Sequence, residues 1–297
     1  MHRLHNRVIS VSASLLLAGL LVGISPVAAA DTSGQLPGPV QLGPDPTPLT
    51  LAQQLIVQQK LAVAQQEQLT PGSIRSIPHP AGLHATLIGA NGTVREVTGV
   101  GAVTAMADPE GAMVGTTARQ QAKYDYCGPA AVQVVADYIW WTDKYSQQYI
   151  SDKWTKTDAT QQTYVYRVRN GLNGAVGSMM PSGFIYDYKQ PANGSAWHSL
   201  LRTDIMGYYM PQVASVSPKQ AGKPYWLSSW ARTSKAPGTY GHYIVLNGYY
   251  LVWDGTSNPS VYYDDGSGGY GGSTGPFEDP ATHIWAVVTY GNGYVIW

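Results

Sequence analysis

The order of its hydrophobic periods constrains this chain most: helical spacing comes first and strand-like runs follow. Behind Cys127-Gly128-Pro129-Ala130, the apolar residues Ala131, Val134, Val135, Tyr138 and Ile139 recur at helical spacing up to Trp141. Pro129 stands where the first turn of a helix tolerates a residue without an N–H. Further helices are predicted over Gln162–Leu172 and Ser195–Met206. After Pro211 the texture changes to short strand-like runs, Val213–Val216, His242–Leu251, Val261–Tyr263, Trp285–Tyr290 and Tyr294–Trp297. Helices followed by antiparallel strands predict an α+β domain, its leading helix packed on a sheet.

Upstream of that domain the chain reads as three stretches. His2, Arg3, His5 and Arg7 give a basic start, Val8 to Val22 is apolar apart from Ser residues and Gly19, and Ala28-Ala29-Ala30 supplies a small-residue exit. That pattern predicts a signal peptide over 1–30, cleaved near Ala30, and hence a secreted, extracellular or cell-wall-associated protein with no membrane span in the mature chain. Residues 31–82 read as a Pro- and Gly-rich linker, then a Gln-rich helix over Leu51–Leu69. Thr47-Pro48 looks like its N-cap and first helical residue, and Thr70-Pro71-Gly72 stops it. Within 83–116, the runs His84–Ile88 and Thr93–Val97 flank Asn91-Gly92, a hairpin signal. Residues 117–297 form the main domain. Whether 31–116 is a removable pro-segment, a wall-proximal spacer or extra structure on that domain stays open.

Lys plus Arg and Asp plus Glu both number 18, so no net charge draws the chain to nucleic acid or to an anionic membrane. Its 21 Tyr and 9 Trp suit half-buried strands and substrate grooves, where one edge stays wet. Only one Cys exists, which rules out an intrachain disulfide and leaves an intermolecular bridge, an inert buried thiol or a reactive one. Cys127 stands at the N-terminal edge of the predicted helix, where the helix dipole favours a thiolate and free backbone N–H groups favour an oxyanion. A thiolate also needs an imidazolium. Of the seven His residues, His242 follows Gly238-Thr239-Tyr240-Gly241 and opens an apolar strand, which makes it the best partner. No His-Glu-x-x-His occurs and the His residues are scattered, so the reading calls for no metal and no cofactor.

Three stretches then resemble a known family: Gln121-x5-Cys127-Gly128-Pro129-Ala130, Gly241-His242-Tyr243-Ile244-Val245-Leu246-Asn247-Gly248-Tyr249, and Val261-Tyr262-Tyr263-Asp264-Asp265. They look like the motifs of the bacteriocin-processing cysteine peptidases (peptidase family C thirty-nine and its C-thirty-nine-like relatives). The resemblance implies a papain-like fold and hydrolysis of a peptide or protein substrate. It makes Cys127 the nucleophile, His242 the general base and acid, and Gln121 an oxyanion-hole donor. The family shows Asp-Pro where this chain has Asp264-Asp265-Gly266, so the residue orienting the imidazole is Asp265 or Asp264. Asp265 is favoured, because it shares a strand face with Val261 and Tyr263. Two other readings compete. One is a cell-wall peptide hydrolase, although relatives of the NlpC type carry Asp-Cys-Ser before the helix. The other is a non-catalytic domain that binds wall or peptide ligands through Tyr and Trp.

Overall fold

Thr50 begins the first element, α1 (Leu51–Leu69), through a capping box. Its Oγ1 accepts the Gln53 N–H at 3.3 Å, while Gln53 Oε1 accepts the Thr50 N–H at 2.9 Å. The helix therefore starts after Pro48, and Thr47 is not its cap. The computed structural model describes residues 45–70, 73–74, 83–89, 93–98, 110–157, 163–218, 226–231, 241–250, 259–268 and 272–297. These lie within one compact unit, Leu36–Trp297. The expected signal peptide and the linker up to residue 44 lie outside the described residues.

After α1 come β1 (His84–Ile88), β2 (Val94–Thr98) and β3 (Gly111–Val114), then α2 (Cys127–Trp140), α3 (Gln147–Ile150) and α4 (Val165–Val176). The second half holds β4 (Tyr188–Lys189), α5 (Gly194–Arg202), β5 (Gln212–Val216), β6 (His242–Tyr250), β7 (Ser260–Gly266), β8 (Thr274–Pro280), α6 (Ala281–Tyr290) and β9 (Val295–Ile296). The nine strands among the described residues form one antiparallel sheet, ordered β2-β1-β3-β6-β5-β9-β4, with β7 and β8 branching from β6. β6 is the hub. Its first half pairs with β5 and its second half with β3 along one edge, while β7 runs along the other. Because β3 joins β1 to β6, the predicted hairpin continues into the main sheet. Mixed helix and antiparallel sheet make the fold α+β.

α2 packs on β6 and on α4 and is buried along almost its whole length, as an apolar helix at the centre of a domain must be. Val132 and Val135 within it and Val168 and Leu172 on α4 are fully buried, and Ala131 and Val134 of α2 line one small cavity with Val245 of β6. One expected strand is a helix instead: Trp285–Tyr290 lies in α6. Val287, Val288 and Thr289 gave the run a strand-like composition, but Ala281, Ile284, Val287 and Val288 recur at helical spacing and are the buried residues. Burial of that stripe overrides β-propensity.

Candidate active site

Two close approaches fix the sulfur. The segment leading into α2 runs against the end of β7, where the Gln121 N–H donates to Gly266 O at 2.8 Å. A Cβ on Gly266 would sit 2.3 Å from Arg119 O, so only glycine lets the two backbones meet there. Next to the sulfur, a Cβ on Gly128 would lie 2.6 Å from Thr163, which packs against the helix start. Cys127 is the first residue of α2, where backbone N–H groups lack intrahelical acceptors.

His242 opens β6, and strand register brings a carboxylate to it. Val245 pairs with Asp264, which puts Asp265 opposite Ile244 and on the same face as His242. His242 Nε2 meets Asp265 Oδ1 at 2.8 Å, with both side chains buried. The imidazole shares one small cavity with Cys127, and the neighbouring thiol favours its charged form. Burial pulls the imidazole's pKa down, but the Asp265 charge, its hydrogen bond and the contact with Cys127 outweigh it and raise the value to about 10. Burial likewise works against the Asp265 carboxylate, and the facing imidazolium and its hydrogen bonds still hold it below the ordinary value. The arrangement favours a charged imidazolium beside the sulfur.

Asp265 accepts three further donors that sequence reasoning missed. The Ser267 N–H reaches Oδ1 at 2.8 Å, while Ser229 Oγ and Trp230 Nε1 reach Oδ2 at 2.6 and 3.1 Å. The Trp230 ring also lies 5.5 Å from the His242 ring, centroid to centroid, and covers it. Ser228–Trp230 is a single 3-10 turn, and no periodicity in Leu227-Ser228-Ser229-Trp230 marks it in the sequence.

The alternation of β7 sends Asp264 to the opposite face. Its Oδ2 accepts from Thr116 Oγ1 at 2.5 Å and from Asn247 Nδ2 at 3.4 Å. Burial raises its carboxyl to about 6 against those two hydrogen bonds. It lines the cavity beside Cys127 and His242 without bonding the imidazole. Asn247 is the extra residue of a β-bulge between Leu246 and Gly248, and the bulge gives Asp264 that amide. Gln121 is buried, and its amide nitrogen donates to the carbonyls of Lys123 and Tyr124 at 3.1 and 2.9 Å in the turn before Cys127. The cavity at the sulfur measures about 10 Å³, room for about one water.

Two other histidines pack elsewhere. His84 packs on Trp141 and His198 on Trp197, and burial with the neighbouring Arg202 charge lowers His198 to about 4. Among the described residues no group of three or more His, Cys, Asp or Glu could hold a metal ion. No helix among them is long and apolar enough to cross a membrane.

No family model matches the chain, and no curated protein matches it. Among solved structures it is similar to a recombinant stem bromelain precursor, with a TM-score of 0.39 and 11% identity over 84% of this chain and 93% of that one.

Proposed function

We propose that this chain is an exported cysteine peptidase of papain-like architecture, in which Cys127, His242 and Asp265 act as nucleophile, base and orienting carboxylate. One observation carries the reading: the chain's only thiol stands at the start of a buried helix and shares a small cavity with an imidazole whose far nitrogen is clamped by a buried carboxylate. Nε2 faces Asp265, which leaves Nδ1 for the sulfur. In the proposed reaction the Cys127 thiolate adds to a peptide carbonyl. As the C–N bond breaks, the His242 imidazolium gives its proton to the leaving amine, leaving an acyl thioester. The neutral imidazole then takes a proton from water, the resulting hydroxide adds to the thioester, and the thiolate departs as the acid is released. The Cys127 N–H and the Gln121 amide, freed from the Lys123 and Tyr124 carbonyls, stabilise the two oxyanions. Asp264 bonds other partners, so Asp265 takes the orienting role.

Export through the predicted signal peptide, with a mature start at Asp31, belongs to the same proposal. The narrow cavity favours a second reading, a non-catalytic domain that binds peptide or wall ligands, because a scissile carbonyl reaches the sulfur only after the cleft opens. Labelling with a peptide-like thiol-reactive probe separates the two. Wild type is expected to label rapidly at neutral pH, His242→Ala at least about tenfold more slowly, and Cys127→Ala not at all. Equal rates for wild type and His242→Ala would overturn the activated pair.

A further inference from the structure

Of the four donors on Asp265, two come from the Ser228–Trp230 turn, and that turn has its own anchor. Asp279, on β8, is 5% exposed. Its Oδ2 accepts the Ser228 N–H at 2.8 Å and the Tyr263 hydroxyl at 2.7 Å, and its Oδ1 accepts Ser228 Oγ at 2.5 Å. The Tyr263 hydroxyl in turn lies 3.4 Å from both the N and the Oγ of Ser229. Register explains the geometry: Asp279 pairs with Val261, on the β7 face that also carries Tyr263 and Asp265. A second buried carboxylate therefore stands behind the first.

We propose that Asp279 is a positioning residue, which holds the Ser228–Trp230 turn so that Ser229 and Trp230 keep Asp265 aimed at His242. The inference rests on the peptidase reading and extends it to a residue that touches neither substrate nor the reacting atoms. A buried carboxylate shifts or takes up a proton when its donors leave. Without Asp279 the turn relaxes, Asp265 loses the Ser229 and Trp230 donors, and the imidazolium loses part of the charge that sustains it.

The test compares wild type, Asp279→Asn, Ser229→Ala, the double variant and the exposed neighbour Glu278→Gln. Alkylation of Cys127 by iodoacetamide is followed from pH 4 to 10, and hydrolysis of a fluorogenic peptide library at pH 7. Asp279→Asn is expected to move the alkaline limb of the alkylation profile to lower pH by half a unit or more. It should also lower kcat about five- to twentyfold with KM within twofold. Ser229→Ala should reproduce the shift, and the double variant should go little further, because both changes act on one turn. Glu278→Gln should match wild type. An unchanged profile and kcat in Asp279→Asn, whatever its melting temperature, would reduce the residue to a structural role and overturn the proposal. Should Asp279→Asn fail to fold, an unchanged profile in Ser229→Ala overturns it equally. Failure of the peptidase reading looks different: wild type and His242→Ala would then share one alkylation profile.

Discussion

Asp265 and Asp264 are chemically the same and adjacent, yet one faces an imidazole and the other a threonine. The alternation of β7 makes that division, and it was legible, because Val261, Tyr263 and Asp265 follow the period of two. The donors that complete the Asp265 shell were not legible. Ser229 and Trp230 belong to one isolated turn, and nothing local says which carboxylate such a turn will meet. Replacing Asp265 tests the coupling. Because folding raises the His242 pKa, the pair's contribution to stability is full below about pH 6.5 and disappears as pH rises through about 10. On the acid side it is lost as pH falls through the lowered Asp265 value. Asp265→Asn is therefore expected to cost about 3 kcal/mol at pH 6 and progressively less toward pH 10, measured by urea unfolding across that range. A cost independent of pH would mean that the imidazole is neutral in the folded protein.

At the scale of elements, two contacts give sharp expectations. Gly266→Ala places a methyl group against Arg119 O and pushes the Cys127 approach away from β7. A loss of about 1–3 kcal/mol is expected, together with slower Cys127 alkylation, and an unchanged rate would show that this contact does not place the sulfur. In α1 the buried residues are Val57, Lys60, Ala64 and Glu67, whereas Leu51 and Leu55 are 84% and 60% exposed. The helix's extent was legible in its apolar and Gln pattern, but its buried face was not. Lys60 is buried because its ammonium finds partners that only the fold assembles. These are Asp204 at 3.4 Å, Ile185 O at 3.2 Å, and the rings of Phe184 and Trp297 at 3.9 and 4.1 Å from their centroids. Burial still lowers its pKa to about 8. Lys60→Met leaves the Asp204 carboxylate buried without its cation and is expected to cost about 3–5 kcal/mol, most of it recovered in Lys60→Met/Asp204→Leu. Guanidinium unfolding of the three proteins checks both numbers.

For the whole molecule the question is what the N-terminal third does. Lys60 is joined by Glu67, which pairs with Arg202 at 2.6 Å, and by Asp45, which pairs with Arg169 at 2.9 Å. These contacts tie residues 45–70 to α4, to α5 and to the π-helical turn 203–208 that carries Asp204, all in the second half of the chain. Deleting residues up to 70 is expected to abolish cooperative thermal unfolding and to expose apolar surface that binds a hydrophobic dye. A truncated protein that melts like wild type would favour a removable pro-segment. The sequence by itself determined the α+β class, the helix behind Cys127, the strand opened by His242 and the parity that separates Asp265 from Asp264, because each depends on local periodicity or spacing. Tertiary structure alone decided that Trp285–Tyr290 is helical, that α1 buries a lysine, and that Ser229, Trp230 and Asp279 gather behind the site. Those outcomes depend on which distant groups share a desolvated interior, where an unmatched charge or donor costs more than any local preference can offset.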